Sequence, residues 1–414
     1  MNLLEQFETY LVGGAVRDEL LGLTIADRDW VVVGATPEAM LELGFEQIGK
    51  EFPCFLHPVT KEEYALARTE RKSGSGHTGF VCDFSPDITL EEDLIRRDLS
   101  INAMAKASDG TIIDPYGGRQ DLQHGILRHV SDAFIEDPLR VLRVARFAAR
   151  FAPHQFKVNQ STLELMQQLA TNGELETLTA ERVWKEVSRA LTEPVPSEFF
   201  QVLKSCHALA AIMPELDELS GVPQPAEHHP EIDTFGHVML CIDYAKQTFD
   251  ELIVTFATLL HDLGKGKTPE EEWPRHIKHE FRGVPLVKKV CKRLRTPKEF
   301  ANLARLVAEH HLKCHTLPQL KPASALKLLE ALDAFRKPER VILFSKACES
   351  DARGRLGLES REYSSPKLLV QYYRAAQQVA TQPLLEQGFQ GEALGEEIRQ
   401  RRVQAIQEIK LSNE

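Results

Sequence analysis

This 414-residue chain has scattered cysteines, no long apolar run and no surplus of positive charge. Its seven cysteines, at 54, 82, 206, 241, 291, 314 and 348, are odd in number and form no Cys-x-x-Cys pair. That pattern argues against a disulfide framework and predicts free thiols in a reducing cytoplasm. The longest apolar run, near Leu252 to Leu260, falls far short of the roughly 20 residues a membrane span needs. The first residues lack the basic-then-apolar pattern of a secretion signal. A soluble, cytoplasmic protein with no membrane partner is therefore expected. The net charge of −11 argues against general nucleic-acid binding. Net charge describes non-specific association, however, and a local basic face can still hold RNA. Tandem repeats and low-complexity tracts are also missing.

What the chain does have is length for two to four domains and 43% hydrophobic residues to fill their cores. The first 115 residues or so mix strands and helices. "TYLVGG" (9–14), "WVVVGA" (30–35) and "EYALART" (63–69) read as strands. "AVRDELLGL" (15–23) and "TPEAMLELG" (36–44) read as helices, the second capped by Thr36. "ERKSGSGHTGF" (70–80) reads as a loop, and "LEEDLIRRDLSINAMA" (90–105) as a helix entering a further strand. Beyond about residue 120 strand signals almost vanish. The expected fold class is α+β: an N-terminal mixed β-sheet head (1–130), then an all-α neck (131–225), a third domain (226–335) and a helical tail (336–414). "SGVPQPAEHHPE" (220–231) is the clearest linker.

Asp27 and Asp29, in "DRDWVVV", stand one residue apart at the mouth of an apolar strand. Residues two apart in a strand share a face, so the two carboxylates are expected to point one way. They repel unless a cation sits between them. Carboxylate oxygens suit Mg²⁺, which leaves room in its shell for phosphate oxygens. Alone, such a pair also reads as a solvated turn. Its context is "LVGGAVRD": strand, Gly13-Gly14, helix. Gly13 and Gly14 let a ligand approach the backbone closely. The helix N-terminus offers N–H groups to a triphosphate, and Arg17 stands in the same first turn. Together these describe one nucleotide-plus-metal site.

At this point the sequence resembles the polymerase-β-type nucleotidyltransferases of the class II tRNA nucleotidyltransferase and bacterial poly(A) polymerase group. "LVGGAVRDELLG" with "DRDWVV", then "RRDLSINAMA" (96–105), "DPYGG" (114–118) and "EDPLRVLRVARFA" (136–148) follow that group's motifs in order. In the last, Asp137, Arg140, Arg143 and Arg146 are spaced by three and are expected along neighbouring positions of a helix face. A carboxylate offers acceptors and a guanidinium a rigid fork of donors, so the pair can address a base edge. The resemblance implies that Asp137 and Arg140 act as a protein template, with Arg143 and Arg146 also contacting the nucleotide. It further implies that Arg97 binds triphosphate or base and that Asp98 contacts the ribose. Glu62 and Glu63 are the nearby candidates for a third acidic metal partner. The loop at 70–80 can reshape the pocket as specificity changes from C to A, or it is a plain surface hairpin.

A second site lies in "FATLLHDLGKG" (256–266), where His261 and Asp262 are adjacent, with His237 24 residues earlier. Imidazole and carboxylate suit a transition metal such as Ni²⁺, Mn²⁺, Co²⁺ or Fe²⁺. The segment resembles the HD metal-dependent phosphohydrolase superfamily: a His, a His-Asp pair, then a distal Asp. Asp333 and Asp351 are the aspartates available for the last position. Asp351 is favoured by its polar and basic surroundings. His276, His279, His310 and His311 are further candidates, as additional ligands, phosphate contacts or surface residues. The stretch 282–298 carries seven Lys and Arg and no acid; an RNA-backbone contact and a solvated helix face are both open.

Taken together, the chain resembles the CCA-adding tRNA nucleotidyltransferases of gammaproteobacterial type that carry a C-terminal HD domain. The resemblance implies addition of C, C and A to a tRNA 3′ end from CTP and ATP, with Mg²⁺ held by Asp27 and Asp29. It implies a phosphatase, 2′-nucleotidase and 2′,3′-cyclic phosphodiesterase at His237, His261, Asp262 and Asp351, with nickel the expected ion. It implies a monomer or a homodimer. The rival readings are a bacterial poly(A) polymerase and an HD phosphohydrolase whose head only binds RNA.

Overall fold

The computed structural model describes residues 4, 6–48, 54–72, 80–227 and 229–413. The chain divides into two compact units. One comprises Met1–Glu186 with Gln201–Ile212, and the other Val187–Phe200 with Met213–Glu414.

The first unit opens with β1 (Glu8–Val12), α1 (Gly14–Leu20), β2 (Asp29–Val33) and α2 (Pro37–Glu42). Three strands follow: β3 (Glu46–Ile48), β4 (Cys54–Leu56) and β5 (Glu63–Leu66). Next come β6 (Thr69–Lys72), β7 (Phe80–Asp83) and α3 (Leu90–Ile95), then β8 (Ala105–Lys106) and β9 (Ile112–Ile113). Seven strands form one mixed sheet in the order β3-β4-β5-β2-β1-β8-β9. β2 runs antiparallel to β1 and parallel to β5. The register sets Val12, Asp29 and Glu63 side by side across these three strands.

Alternation along β2 explains why that register holds. Val31 packs with Val12, Ala67, Leu94 and Ala103 on one face. Trp30 and Val32 pack with Met40, Phe55 and Leu66 on the other. Burying each such side chain is worth roughly 1.5–3 kcal/mol, and a one-residue slip would exchange the two faces. The apolar residues therefore fix the direction of Asp29, which starts the strand on the Val31 face.

Four expectations need correction. Asp27 is not in the strand, because 23–28 are irregular and β2 begins at Asp29. The segment 70–80 is not all loop: β6 and β7 pair antiparallel from Thr69↔Asp83 to Lys72↔Phe80, and 73–79 lie outside the described residues. The helix read over 90–105 stops at Ile95, followed by a 3₁₀ turn at Ser100–Asn102. Strand pairing does not end at the head, since Ile126–Leu127 pairs in parallel with Lys157–Val158.

The second unit is helical, apart from an isolated bridge between Pro223 and Asp233. Helices Thr234–Phe249, Leu252–Leu259, His279–Leu294, Lys298–His315 and Glu339–Arg353 surround its polar centre. In its tail, helices Ser365–Gln377 and Gly391–Ser412 pack with Pro322–Ala331. Among the described residues no disulfide joins the cysteines, and no helix is long and apolar enough to cross a membrane.

Candidate active sites

A cavity of about 610 Å³ opens where β1, β2 and β5 end. Gly13, Gly14, Asp29, Glu63 and nine arginines line it, with Asp98, Asn102 and Asp137. A neighbouring cavity of about 550 Å³ shares Asp29 and Glu63 and adds Asp27 and Glu62. Four positively charged side chains come from one helix, α5, if the connecting elements are counted as follows: α4 (Gly118–His124), then α5 (Leu139–Phe151).

The arginines of α5 are held in place by partners from other segments. Arg140 donates to the carbonyl oxygens of Ala133 and Arg96. Arg143 pairs with Asp98 at 2.7 Å, Arg146 with Glu186 at 2.8 Å and Arg150 with Asp18 at 2.9 Å. Asp98 is buried, and desolvation opposes its charge. Arg143, with Asn102, overcomes this and holds the carboxyl well below the usual range. Asp98 Oδ1 also accepts from Asn102 Nδ2, while Asn102 Oδ1 accepts from Arg17. A continuous chain of polar contacts thus runs Asp18–Arg17–Asn102–Asp98–Arg143. A group already bound and ordered reorganises little when an anion arrives.

Two site readings change here. Asp137 is not on the helix with the arginines. Pro138 precedes α5, and Asp137 stands before it, accepting from Leu139 N and pairing with Arg182 at 2.9 Å. Arg17 is in α1 as expected, but its guanidinium is 3% exposed and packs 5.2 and 5.1 Å from the Phe147 and Phe151 ring centres. Burial lowers its pKa despite Asp18 beside it. Both oxygens of Asp98 are occupied, so a ribose contact would have to share them. Sequence reading missed Arg182, Arg150, Asn102 and Glu186. The i, i+4 spacing of Asp98 and Asn102 within "RRDLSINAMA" was the signal for one of them.

Asp27 and Asp29 behave differently from the other acids. Asp93 is bound by Arg96 and Arg97, Asp98 by Arg143 and Asp137 by Arg182. Among the described residues neither Asp27 nor Asp29 has a hydrogen bond or an ion pair. Desolvation raises the Asp29 carboxyl, and Asp27 adds to the rise against the pull of Arg97. Crowded, partnerless carboxylates in an arginine-lined cavity fit a hard cation. Glu63, in register with Asp29 and lining both cavities, is the third acid that fits. Glu62 turns the other way, accepting from Trp30 Nε1 at 3.1 Å.

Gly13 shows how closely the backbone is used. Its φ of +69° and ψ of −127° suit only glycine, and a Cβ there would come 2.8 Å from Arg97 Nη1. We expect Gly13→Ala to destabilise the head by about 1–3 kcal/mol and to push Arg97 aside. A lowered melting temperature with a raised KM for CTP would bear this out; unchanged values of both would refute it.

The second unit gathers a compact histidine and aspartate centre. His237 lies in the first turn of helix Thr234–Phe249, and His261 and Asp262 follow helix Leu252–Leu259. Asp351 ends helix Glu339–Arg353. His237 Nε2 is 3.2 Å from Asp351 Oδ1, and His261 Nε2 is 3.2 Å from Asp262 Oδ2 and 3.7 Å from Asp351 Oδ1. The fourfold set read from sequence is therefore assembled, with Asp351 and not Asp333. Asp333 pairs instead with Arg336 and Arg340.

The rings are oriented from behind. His261 Nδ1 lies 2.7 Å from the Thr258 carbonyl, which can only accept, so Nε2 carries the lone pair. His237 Nδ1 is 2.9 Å from Glu231, whose other near neighbour is His229. Desolvation disfavours an imidazolium at His261, but Asp262 and Asp351 overcome it and raise the ring to about 10. His261 Nε2 is buried without a hydrogen bond. A buried nitrogen facing two carboxylates fits a metal cation. Gly264 lets the His-Asp turn approach its neighbour, since a Cβ would lie 2.0 Å from the His279 carbonyl oxygen.

Of the extra histidines, His279 and His311 join the centre near Asp262. His276 instead faces the Pro223 carbonyl, and His310 lies beside Lys313 and Glu309. Sequence reading missed His315 and Arg355, which hold Asp351 at 2.6 and 3.0 Å. His311 and His315 are four apart on one helix, a spacing that could have marked both. The basic stretch at 282–298 is partly neutralised, with Arg282 on Glu272 and Arg293 and Lys289 on Glu215.

Residues 9–128 match the poly A polymerase head domain, and 155–219 the probable RNA and SrmB-binding site of polymerase A. Residues 234–347 match the HD domain. A multifunctional CCA protein of Hahella chejuensis is 55% identical over 98% of this chain and 96% of its own length. The fold is that of a CCA-adding enzyme solved in complex with CTP, with a TM-score of 0.63 at 20% identity. That likeness covers 97% of this chain and 87% of the other. The Thermotoga maritima CCA-adding enzyme complexed with tRNA has a TM-score of 0.58 at 21% identity, covering 99% and 92%.

Proposed function

Since the chain belongs to the family of multifunctional CCA proteins, we propose that it adds C, C and A to the 3′ end of tRNA from CTP and ATP. The observation that carries this is the arginine-lined cavity with its partnerless Asp27–Asp29 pair. Asp27, Asp29 and Glu63 would hold Mg²⁺, which activates the attacking 3′-hydroxyl and stabilises departing pyrophosphate. Arg97, Arg143 and Arg146 bind the nucleotide, their charge matching its phosphates. Gly13 and Gly14 let it approach the start of α1. Arg17 positions Asn102, and through it Asp98 and Arg143. Asp137 and Arg140 offer acceptor and donor edges to the base, so no nucleic acid template is needed.

The second unit hydrolyses phosphomonoesters, 2′-phosphates and 2′,3′-cyclic phosphates, which suits it to clearing damaged RNA ends. His237, His261, Asp262 and Asp351 would hold a transition metal there, Ni²⁺ being the expected one. Such an ion supplies a nucleophilic hydroxide near neutral pH. Lys265, 2.6 Å from Asp262, and Arg355 place positive charge beside the carboxylates. The matches over 9–128, 155–219 and 234–347 support a head, an RNA-binding neck and an HD domain, with a helical tail following. A tRNA substrate and the lack of disulfides support a cytoplasmic location.

The test supplies CTP and ATP separately and together to tRNA lacking its CCA end. CTP alone should add two residues, ATP alone none, and both together three. Long A tails would identify a poly(A) polymerase. No incorporation would leave only the hydrolase.

A further inference from the structure

Asp262 faces two clusters rather than one. Its Oδ2 lies 3.2 Å from His261 Nε2 and 3.9 Å from His237 Nε2. Its Oδ1 lies 3.2 Å from His279 Nε2 and 3.7 Å from His311 Nε2. Both clusters, His237–His261–Asp351 and Asp262–His279–His311, bring their ligand atoms within 4.8 Å of one another, and every member is buried.

The second cluster is built to present lone pairs. His279 Nδ1 is 3.0 Å from the His276 carbonyl oxygen, and His311 Nδ1 is 3.0 Å from that of Val307. A carbonyl oxygen only accepts, so each Nδ1 keeps its hydrogen and each neutral ring turns a bare Nε2 inward. These two nitrogens are 3.1 Å apart. Two lone pairs at that distance repel unless a cation lies between them. Asp262 Oδ1 is fully buried and makes no hydrogen bond, although imidazole nitrogens surround it. An orphaned carboxylate oxygen facing two aligned nitrogens is a divalent-cation site waiting on one side of a shared ligand.

We infer that the HD centre holds two divalent cations bridged by Asp262, the second bound by Asp262, His279 and His311. The inference rests on reading this centre as a metal site. Two ions sharing one carboxylate suit a substrate ending in phosphate, with an oxygen available to each.

The experiment loads the full chain carrying Asp27→Ala and Asp29→Ala with Mn²⁺, so that the head does not contribute to the count. Tightly held Mn²⁺ is measured after desalting, and its spin coupling by electron paramagnetic resonance. The expected result is two equivalents per chain with an exchange-coupled spectrum. His279→Ala and His311→Ala should each lose one equivalent and leave an isolated Mn²⁺ signal. One uncoupled equivalent in the parent would overturn the inference, since the paired imidazoles would then share a proton. Two equivalents that persist in folded His279→Ala, checked by thermal unfolding, would also overturn it. The coupled spectrum of the parent decides the matter should the variants fail to fold. Two coupled ions without phosphatase activity would uphold the inference and refute the hydrolase reading.

Discussion

Asp27→Ala with Asp29→Ala is expected to lower nucleotide addition to tRNA by at least about 10³-fold, the scale of losing preorganised charge stabilisation at a reacting phosphate. The fold should survive, and stability should rise slightly or stay level. Both carboxylates lie at the start of β2 without partners, and Asp29 is disfavoured in its charged form by desolvation and by Asp27. Removing them relieves repulsion and leaves no buried partner unpaired. The hydrolytic activity of the second unit should persist, because its ligands come from other helices. Gel assays of tRNA extension, with phosphatase measured on the same preparation, check both halves. Addition that survives would mean the metal site lies elsewhere.

Asp262→Asn is expected to lower phosphohydrolysis by at least about 10³-fold on the same grounds. It should also destabilise the second unit, in contrast to the head variants. Asp262 is buried and is the common neighbour of His261, His279, His311 and Lys265. Desolvation disfavours its charge, yet His261 and Lys265 hold the carboxyl well below the usual range. Because its folded pKa is depressed, its contribution to stability is present above the unfolded value of about 3.9 and fades as pH falls below it. Losing the carboxylate leaves the buried Lys265 ammonium with only Gln224 at hydrogen-bond distance, a type of loss that costs about 3–5 kcal/mol. Melting temperature and hydrolysis of a chromogenic phosphomonoester at neutral pH are the measurements. Wild-type stability with lost activity would separate the charge network from folding.

How much of this was legible in the sequence depended on range. The Gly13-Gly14 turn, the valine strand and the His261–Asp262 pair are local, and each was readable from adjacent residues. Asp351 was chosen over Asp333 on its basic neighbours, and the fold brings it to His237 across 114 positions. Contacts of that kind have no local signature. Arg182 reaches Asp137 across 45 positions, and Glu186 reaches Arg146 across 40. Neither could be paired from spacing. Glu62 and Glu63 were equivalent in sequence, and only the sheet register turned one toward the cavity. The placement of Asp137 on the helix failed because the three-residue spacing was weighed without Pro138, which ends the preceding turn. Arg17 was placed correctly but read as reaching the ligand. Phe147 and Phe151, from another helix, enclose it and commit it to Asn102.

The central claim is that one cavity accepts both nucleotides and reads them with side chains alone. Its most direct test is equilibrium binding of CTP and ATP to the chain in the presence of Mg²⁺ and in the absence of any RNA. The account predicts one shared site, in which CTP displaces ATP competitively and from which Arg143→Ala removes both. Two independent sites, or binding that begins only when RNA is added, would contradict it.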